Sequence, residues 1–173
     1  MASFLPGGNK TIIMDKIINL RQAEKLSKDL RTKNKNLVIT GGCFDILHIG
    51  HIKLLEVSKK QGDILLVLIE NDNTVRKLKG LERPINSQNE RALVLSAISY
   101  VDYVLILPNM KTDNDYDLIM QKLKPAVITT TKNDPQSIHN ERQARLIDAK
   151  VVYVINRIKN KSTTNLAKII RED

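Results

Sequence analysis

Five short apolar, β-branched runs punctuate the chain, at residues 37–40, 64–69, 103–107, 126–130 and 151–155. Each is nearly continuous in apolar character rather than alternating, the pattern of strands buried on both faces of a sheet. The stretches between them are long enough for crossover helices. The order therefore predicts an α/β fold, an open five-stranded parallel sheet with helices on both faces. Residues 15–34 have the spacing of an extra amphipathic helix ahead of the first strand. Residues 1–14 carry no pattern and are expected to form a mobile extension, leaving residues 15–173 as a single domain.

Local signals mark several helix ends. Gly62 follows Lys59-Lys60-Gln61 and reads as the C′ residue closing the first crossover helix. Ser87-Gln88-Asn89-Glu90 reads as a capping box opening a helix that buries Leu93, Val94, Ala97 and Ile98. Asp134-Pro135 reads as an N-cap followed by proline at the first helical position. Ser162 reads as the cap of a last helix over residues 163–170.

Composition narrows the class. Of 173 residues 42% are apolar and only 3% aromatic, so one sizeable core must be built from Ile, Leu and Val. With 27% charged residues and only 5 prolines and 7 glycines, a disordered or collagen-like chain is excluded. The longest strongly apolar stretch, residues 64–69, falls far short of the ~20 residues a membrane helix needs. The first residues lack the charged and apolar regions of a secretory signal. The single cysteine, Cys43, excludes an internal disulfide and a cysteine-based metal cluster. A cytoplasmic protein without a membrane partner is the expectation. The formal net charge of +9 favours an anionic partner, whether nucleotide, phosphorylated metabolite or nucleic acid.

Candidate chemistry concentrates after the first strand, in Gly41-Gly42-Cys43-Phe44-Asp45-Ile46-Leu47-His48-Ile49-Gly50-His51. Glycines after a buried strand let the backbone approach a ligand closely. The turn lies at the carboxyl end of the sheet, where open α/β folds bind ligands. His48 and His51 share one face at the start of a helix, where backbone N–H groups and the positive helix end attract phosphate. Gly50 is expected to keep the space between the two rings open.

Gly42-Cys43-Phe44-Asp45-x-x-His48-x-Gly50-His51 resembles the HxGH signature of the cytidylyltransferase-like nucleotidyltransferases. The resemblance runs over most of residues 15–173. Lys77-Leu78-Lys79-Gly80 with Arg83-Pro84 looks like the family's basic loop after the second strand. Arg157 ahead of Ser162-Thr163-Thr164 looks like its second signature. Within the family the chain is most similar to heptose-1-phosphate adenylyltransferases, through the N-terminal helix, Lys-Gly-x-x-Arg-Pro and Ser-Thr-Thr-Asn. His51-Ile52-Lys53-Leu54-Leu55 also looks like glycerol-3-phosphate cytidylyltransferase.

The resemblance implies a Rossmann-like fold and transfer of a nucleoside monophosphate from ATP or CTP, adenylyl transfer being favoured. The acceptor would be a phosphorylated sugar or polyol, and pyrophosphate would leave. Alignment and charge neutralisation suffice for such a transfer. His48, His51 and Lys79 are the catalytic candidates. Gly42, Cys43, Phe44, Gly50, Lys77, Arg91, Arg157, Ser162, Thr163 and Thr164 are the nucleotide-binding ones. Asp45 and Thr131 are the acceptor-side candidates. No protein metal site is expected, because Mg²⁺ would arrive with the triphosphate, which brings most of its oxygen ligands. The resemblance is compatible with a homodimer.

Each assignment has a plainer competitor. Lys77 and Lys79 could form a solvated face, Arg91 a surface ion pair, and Ser162 only a cap. Asp45 could brace the turn. Cys43 fits an inert, buried thiol better than a nucleophile, and His139 a surface residue. The heptose-type enzymes carry a Lys-Gly-Gly-Asp-Tyr-like segment after the fourth strand, where this chain has Thr129-Thr130-Thr131-Lys132-Asn133-Asp134. β-Branched threonine resists the positive φ that glycine allows. That departure leaves other acceptors open, a flavin mononucleotide among them, as well as a catalytically silent nucleotide sensor. His48-Ile49-Gly50-His51 also spells the signature of class I aminoacyl-tRNA synthetases. This length leaves no room for tRNA recognition, and Lys159-Asn160-Lys161-Ser162 matches their second motif poorly. Dispersed lysines, scarce aromatics and the lack of a groove-reading motif argue against a nucleic-acid module.

Overall fold

Parallel strands with helical crossovers form as the apolar runs demand. The computed structural model describes residues 15–134 and 137–156. Its strands are β1 (Ile17–Ile18), β2 (Leu37–Gly42), β3 (Ile64–Ile69), β4 (Tyr103–Ile106), β5 (Val127–Lys132) and β6 (Lys150–Asn156). Its helices are α1 (Leu20–Thr32), α2 (Ile49–Lys59), α3 (Asp72–Lys79), α4 (Gln88–Ser96), α5 (Asp113–Leu123) and α6 (Ser137–Ile147). All strand pairings are parallel, in the order β1-β4-β3-β2-β5-β6.

Successive strand side chains point to opposite faces, and each face has its own helical layer. Ile39, Leu66, Leu68, Leu105 and Ile128 pack with Ala23 and Leu30 of α1, Ile119, Met120 and Leu123 of α5, and Ala144 of α6. Val38, Leu65, Val67, Ile69 and Val104 pack with Leu54 and Leu55 of α2 and Ala92 and Leu95 of α4. β2 lies between β3 and β5, with Thr40 in register with both Val67 and Thr129. The chain winds from β2 through β3 to β4 on one side, then returns to β5 and β6 on the other. The carboxyl end of β2 is therefore the topological switch point, where such sheets open a crevice for ligands.

Several sequence expectations change. The sheet has six strands rather than five, because Ile17 and Ile18 pair with Val104 and Leu105 at the β4 edge. Two residues are too short a run to show a period. The extra helix begins only at Leu20, where Asn19 and Gln22 form a capping box. Gly62 does not take the left-handed C′ conformation, since Gly80 is the glycine with positive φ among the described residues. Gly62 is instead required by close approach, because a Cβ there would stand 2.7 Å from Val38 Cγ2 and 3.0 Å from Asn36 O.

The capping box at Ser87 forms as expected, but α4 buries a different face. Arg91, Ala92, Leu95 and Ser96 point inward, whereas Leu93 and Val94 are exposed. Ala97 lies just past the helix and is exposed, and Ile98 is half-buried. The Arg91 guanidinium has acceptors inside the fold that fix the helix's rotation, which apolar content alone does not foretell. The proposed Pro135 start and the last helix over residues 163–170 lie outside the described residues, as do residues 1–14.

Candidate active site

The strand β2 ends in Gly42, and the chain then makes a tight turn into α2. Phe44 sits in this turn at φ 47° and is 3% exposed. A buried aromatic in the left-handed region is an uncommon conformation that the surroundings must hold in place. Its ring lies over Gly42, where a Cβ would meet Phe44 Cε2 at 3.2 Å. The same ring stands 5.1 Å from that of His51, centroid to centroid, at a tilt of 54°.

His48 is the N-cap of α2, and its Nδ1 accepts a hydrogen bond from the Gly50 N–H at 3.1 Å. With Nδ1 accepting, the neutral ring carries its proton on Nε2. The His48 and His51 rings are stacked, 3.9 Å between centroids and 24° apart in plane. This corrects the expectation for Gly50. The rings stack face to face rather than standing apart, and the glycine instead seats the His48 side chain through its backbone N–H. His51 Nδ1 is buried and has no hydrogen-bond partner among the described residues. Burial, and then the neighbouring His48, push the His51 pKa down to about 4. Burial also lowers the pKa of His48. Both rings are thus neutral at pH 7.

Lys77 and Lys79 belong to the last turn of α3 rather than to a loop. Asn71 caps that helix through Thr74 N–H, Asp72 occupies its first turn, and Gly80 ends it at φ 101°. Both lysines are exposed. The Lys79 charge acts on the Cys43 thiol, which puts its ammonium by the turn. The thiol itself is pushed up in pKa, chiefly by burial. It therefore stays protonated, as an inert cysteine should.

Asp45 has the bracing role. Its carboxylate is buried and ion-paired with Arg83, whose Nε donates to Oδ2 at 2.6 Å. It also accepts from Ile85 N–H and Asn86 N–H at 2.9 Å, and the Asn86 side chain returns a bond to Asp45 O at 2.8 Å. The loop after α3 is thereby tied to the histidine turn.

Arg91 lies under the site, 1% exposed. Its Nε donates to Asn86 O at 3.1 Å and its Nη1 to Cys43 O at 2.5 Å. Its Nη2 donates to Glu70 O and to Asp72 Oδ1, both at 2.8 Å. The geometry makes it a brace joining the ends of β2 and β3 to α3 and α4.

Thr131 is half-buried on β5, at a register irregularity opposite β6. The following turn does have a positive φ, at Asn133 (63°). Asparagine tolerates this region far better than threonine, so losing the glycines has not cost this segment its turn. Arg157, Ser162, Thr163 and Thr164 lie outside the described residues. His139 is half-buried on α6, with Nδ1 3.5 Å from Asp113 Oδ2.

Two residues near the turn escaped the sequence reading. Glu70 follows β3, and Tyr116 on α5 donates its hydroxyl to the Glu70 carboxylate at 3.0 Å. A lone carboxylate directly after an apolar strand was the signal for Glu70; Tyr116 had none.

A parallel sheet with a glycine-containing turn and paired histidines at its switch point has the Rossmann-like α/β architecture. The chain belongs to the cytidylyltransferase-like family of nucleotidyltransferases, matching it over residues 39–167. It is 38% identical over 156 residues to the bifunctional protein HldE of a Nitratiruptor species, covering 90% of this chain and 32% of that protein. It is 37% identical over 166 residues to the bifunctional protein HldE of Helicobacter hepaticus, covering 96% of this chain and 32% of that one. The chain thus spans about a third of the length of these curated relatives. Among solved structures it is similar to a lipopolysaccharide core biosynthesis protein from Thermoplasma volcanium. The TM-score there is 0.59 at 29% identity, over 72% of this chain and 99% of that one. A pantoate-beta-alanine ligase from Francisella tularensis shares the fold at TM-score 0.62 and 18% identity, over 91% of this chain and 79% of that one. No helix among the described residues is long and apolar enough to cross a membrane.

Proposed function

We propose that the chain transfers an adenylyl group from ATP to a phosphorylated sugar or polyol. A phosphate oxygen of the acceptor attacks the α-phosphorus, the bond from that phosphorus to the bridging oxygen breaks, and pyrophosphate leaves. The observation that carries this reading is the stacked, neutral His48–His51 pair at the start of α2, with an unpartnered His51 nitrogen. An enzyme of this kind needs no nucleophile of its own, only donors fixed where charge develops. His48 and His51 are the proposed donors to the triphosphate, with Lys79 as a mobile point charge beside them. Lys77, two residues earlier on the same helix, is the weaker candidate. Arg157, Ser162, Thr163 and Thr164 are proposed at the β- and γ-phosphates.

Adenylyl rather than cytidylyl transfer is favoured by Lys79-Gly80-x-x-Arg83-Pro84, which resembles heptose-1-phosphate adenylyltransferases. The relatives named HldE and the lipopolysaccharide core biosynthesis protein support a sugar acceptor. The described residues hold no group of three or more His, Cys, Asp or Glu that could cage a metal. The proposed Mg²⁺ would take its shell largely from the oxygens the triphosphate brings and from water, and would supply charge neutralisation there. A cytoplasmic setting, where nucleoside triphosphates are abundant, fits the reading.

The test is pyrophosphate release with Mg²⁺, crossing ATP and CTP against phosphorylated sugars, polyols and flavin mononucleotide. Release that needs ATP and one sugar or polyol phosphate is expected. Nucleotide binding without release from any acceptor would identify a sensor instead.

A further inference from the structure

Glu70, Tyr116 and Cys43 meet at the carboxyl ends of β2 and β3, outside the histidine pair. The Tyr116 hydroxyl lies 3.1 Å from Glu70 Oε1 and 3.0 Å from Oε2. All three residues are half-buried. The Glu70 backbone is held on both sides, its N–H donating to Gly42 O at 3.1 Å and its carbonyl accepting from Arg91 at 2.8 Å. The carboxylate is thus fixed beside the histidine turn, on the β3 flank of β2. Thr131 stands on the other flank, on β5, next to the strand that leads to Arg157.

A carboxylate is a poor neighbour for a phosphate site. It repels every anion that approaches, in a chain whose net charge of +9 otherwise draws anions in. Nor is its bond to Tyr116 needed to seat α5, which already buries Ile119, Met120 and Leu123 in the core. A carboxylate with a phenol beside it does suit hydroxyl groups. Its two oxygens offer about four lone-pair positions, of which one phenol hydroxyl leaves at least half free. The protonated Cys43 thiol adds no charge to this corner.

We propose that Glu70 and Tyr116 form a hydroxyl-binding subsite for the uncharged polyol part of the acceptor. The pair selects acceptors with free hydroxyls beside a single phosphate and rejects those with a second anionic group at that end. This inference rests on the adenylyl-transfer reading above, and it places the acceptor's hydroxyls at Glu70 rather than at Thr131.

The probes are a heptose 1-phosphate, mannose 1-phosphate, glycerol 3-phosphate and mannose 1,6-bisphosphate, with ATP and Mg²⁺. Initial rates of pyrophosphate release are read beside the rise in Tm that ATP alone produces. At least one monophosphate should turn over, and the bisphosphate should be worse by about tenfold or more. Glu70→Gln should raise the acceptor KM by about tenfold, as expected for losing a hydrogen bond to a charged group. It should also narrow the discrimination against the bisphosphate, while the ATP KM stays within about twofold. Tyr116→Phe should act in the same direction by a smaller factor.

An unchanged acceptor KM in both variants overturns the subsite, as does an ATP KM that rises in step with it, the signature of a packing defect. ATP stabilisation with no pyrophosphate from any probe also overturns it, yet leaves nucleotide binding standing. No ATP stabilisation at all overturns the reading on which both rest.

Discussion

His51 carries the sharpest electrostatic signature among the site residues. Its imidazole is wedged between the Phe44 and His48 rings, and its pKa falls from an ordinary 6.5 to about 4. Between those two values the unfolded chain binds the proton that the folded protein refuses. Stability must therefore be fully present above about pH 6.5 and be lost as pH falls through about pH 4, by about 3 kcal/mol. His48, also lowered, adds in the same sense. Urea melts from pH 7 to pH 4 measure this, and His51→Asn should flatten the curve. The same ring makes a kinetic prediction. His51→Ala should lower kcat for pyrophosphate release by roughly 10²–10⁴-fold while the melt at pH 7 stays cooperative. Wild-type turnover in a folded variant would remove His51 from the mechanism.

At the scale of elements, the site is a turn, a helix end and a loop clamped together from below. Asp45 ties the loop after α3 to the histidine turn, and Arg91 ties the ends of β2 and β3 to α3 and α4. Asp45→Ala would strand the buried Arg83 guanidinium, whose side chain is 7% exposed. Removing one partner of a buried pair costs about 3–5 kcal/mol, so the midpoint of denaturation should fall accordingly. With the loop released, the histidine turn loses its brace, and ATP titrations should show weaker binding than in wild type. These clamps mark the limit of what could be read from the chain. The strands were legible because each is a continuous apolar run, and the turn because its glycines and histidines form one contiguous motif. The inward face of α4 was not, since Leu93 and Val94 outweigh Arg91 in any apolar count. What turned the helix was a set of carbonyl acceptors contributed by Asn86, Cys43 and Glu70. Cys43 and Glu70 stand 48 and 21 residues away and leave no local period. For the same reason Asp45 reads first as an acceptor-side residue and only second as a brace, because Arg83 and Asn86, which hold it, stand 38 and 41 positions away. Asn133 restored a turn that the absence of glycine had seemed to forbid.

For the molecule as a whole, charge and topology bear on the same point. The switch point gathers the carboxyl ends of β2, β3 and β5, and the net charge of +9 biases the field around them toward anions. Yet the two histidines nearest the turn are neutral in the free protein at pH 7, because burial outweighs that field's use for a cation there. On the proposed reading a triphosphate would reverse the balance, since its negative charge beside the rings favours the imidazolium that burial disfavours. Binding at pH 6, with the nucleotide saturated by Mg²⁺ so that its terminal phosphate is already ionised, should therefore take up protons at His48 and His51. Calorimetry in two buffers of different ionisation enthalpy reads that uptake directly, with an unreactive ATP analogue as the ligand. Uptake should shrink as pH rises toward 8, where even the raised pKa values are passed, and His51→Asn should remove part of it. Binding with no proton exchange at pH 6 would mean that the triphosphate lies away from the stacked rings. The fold would then present its positive charge to the nucleotide from α3 alone, and Lys79 rather than His51 would be the side chain whose removal most weakens binding.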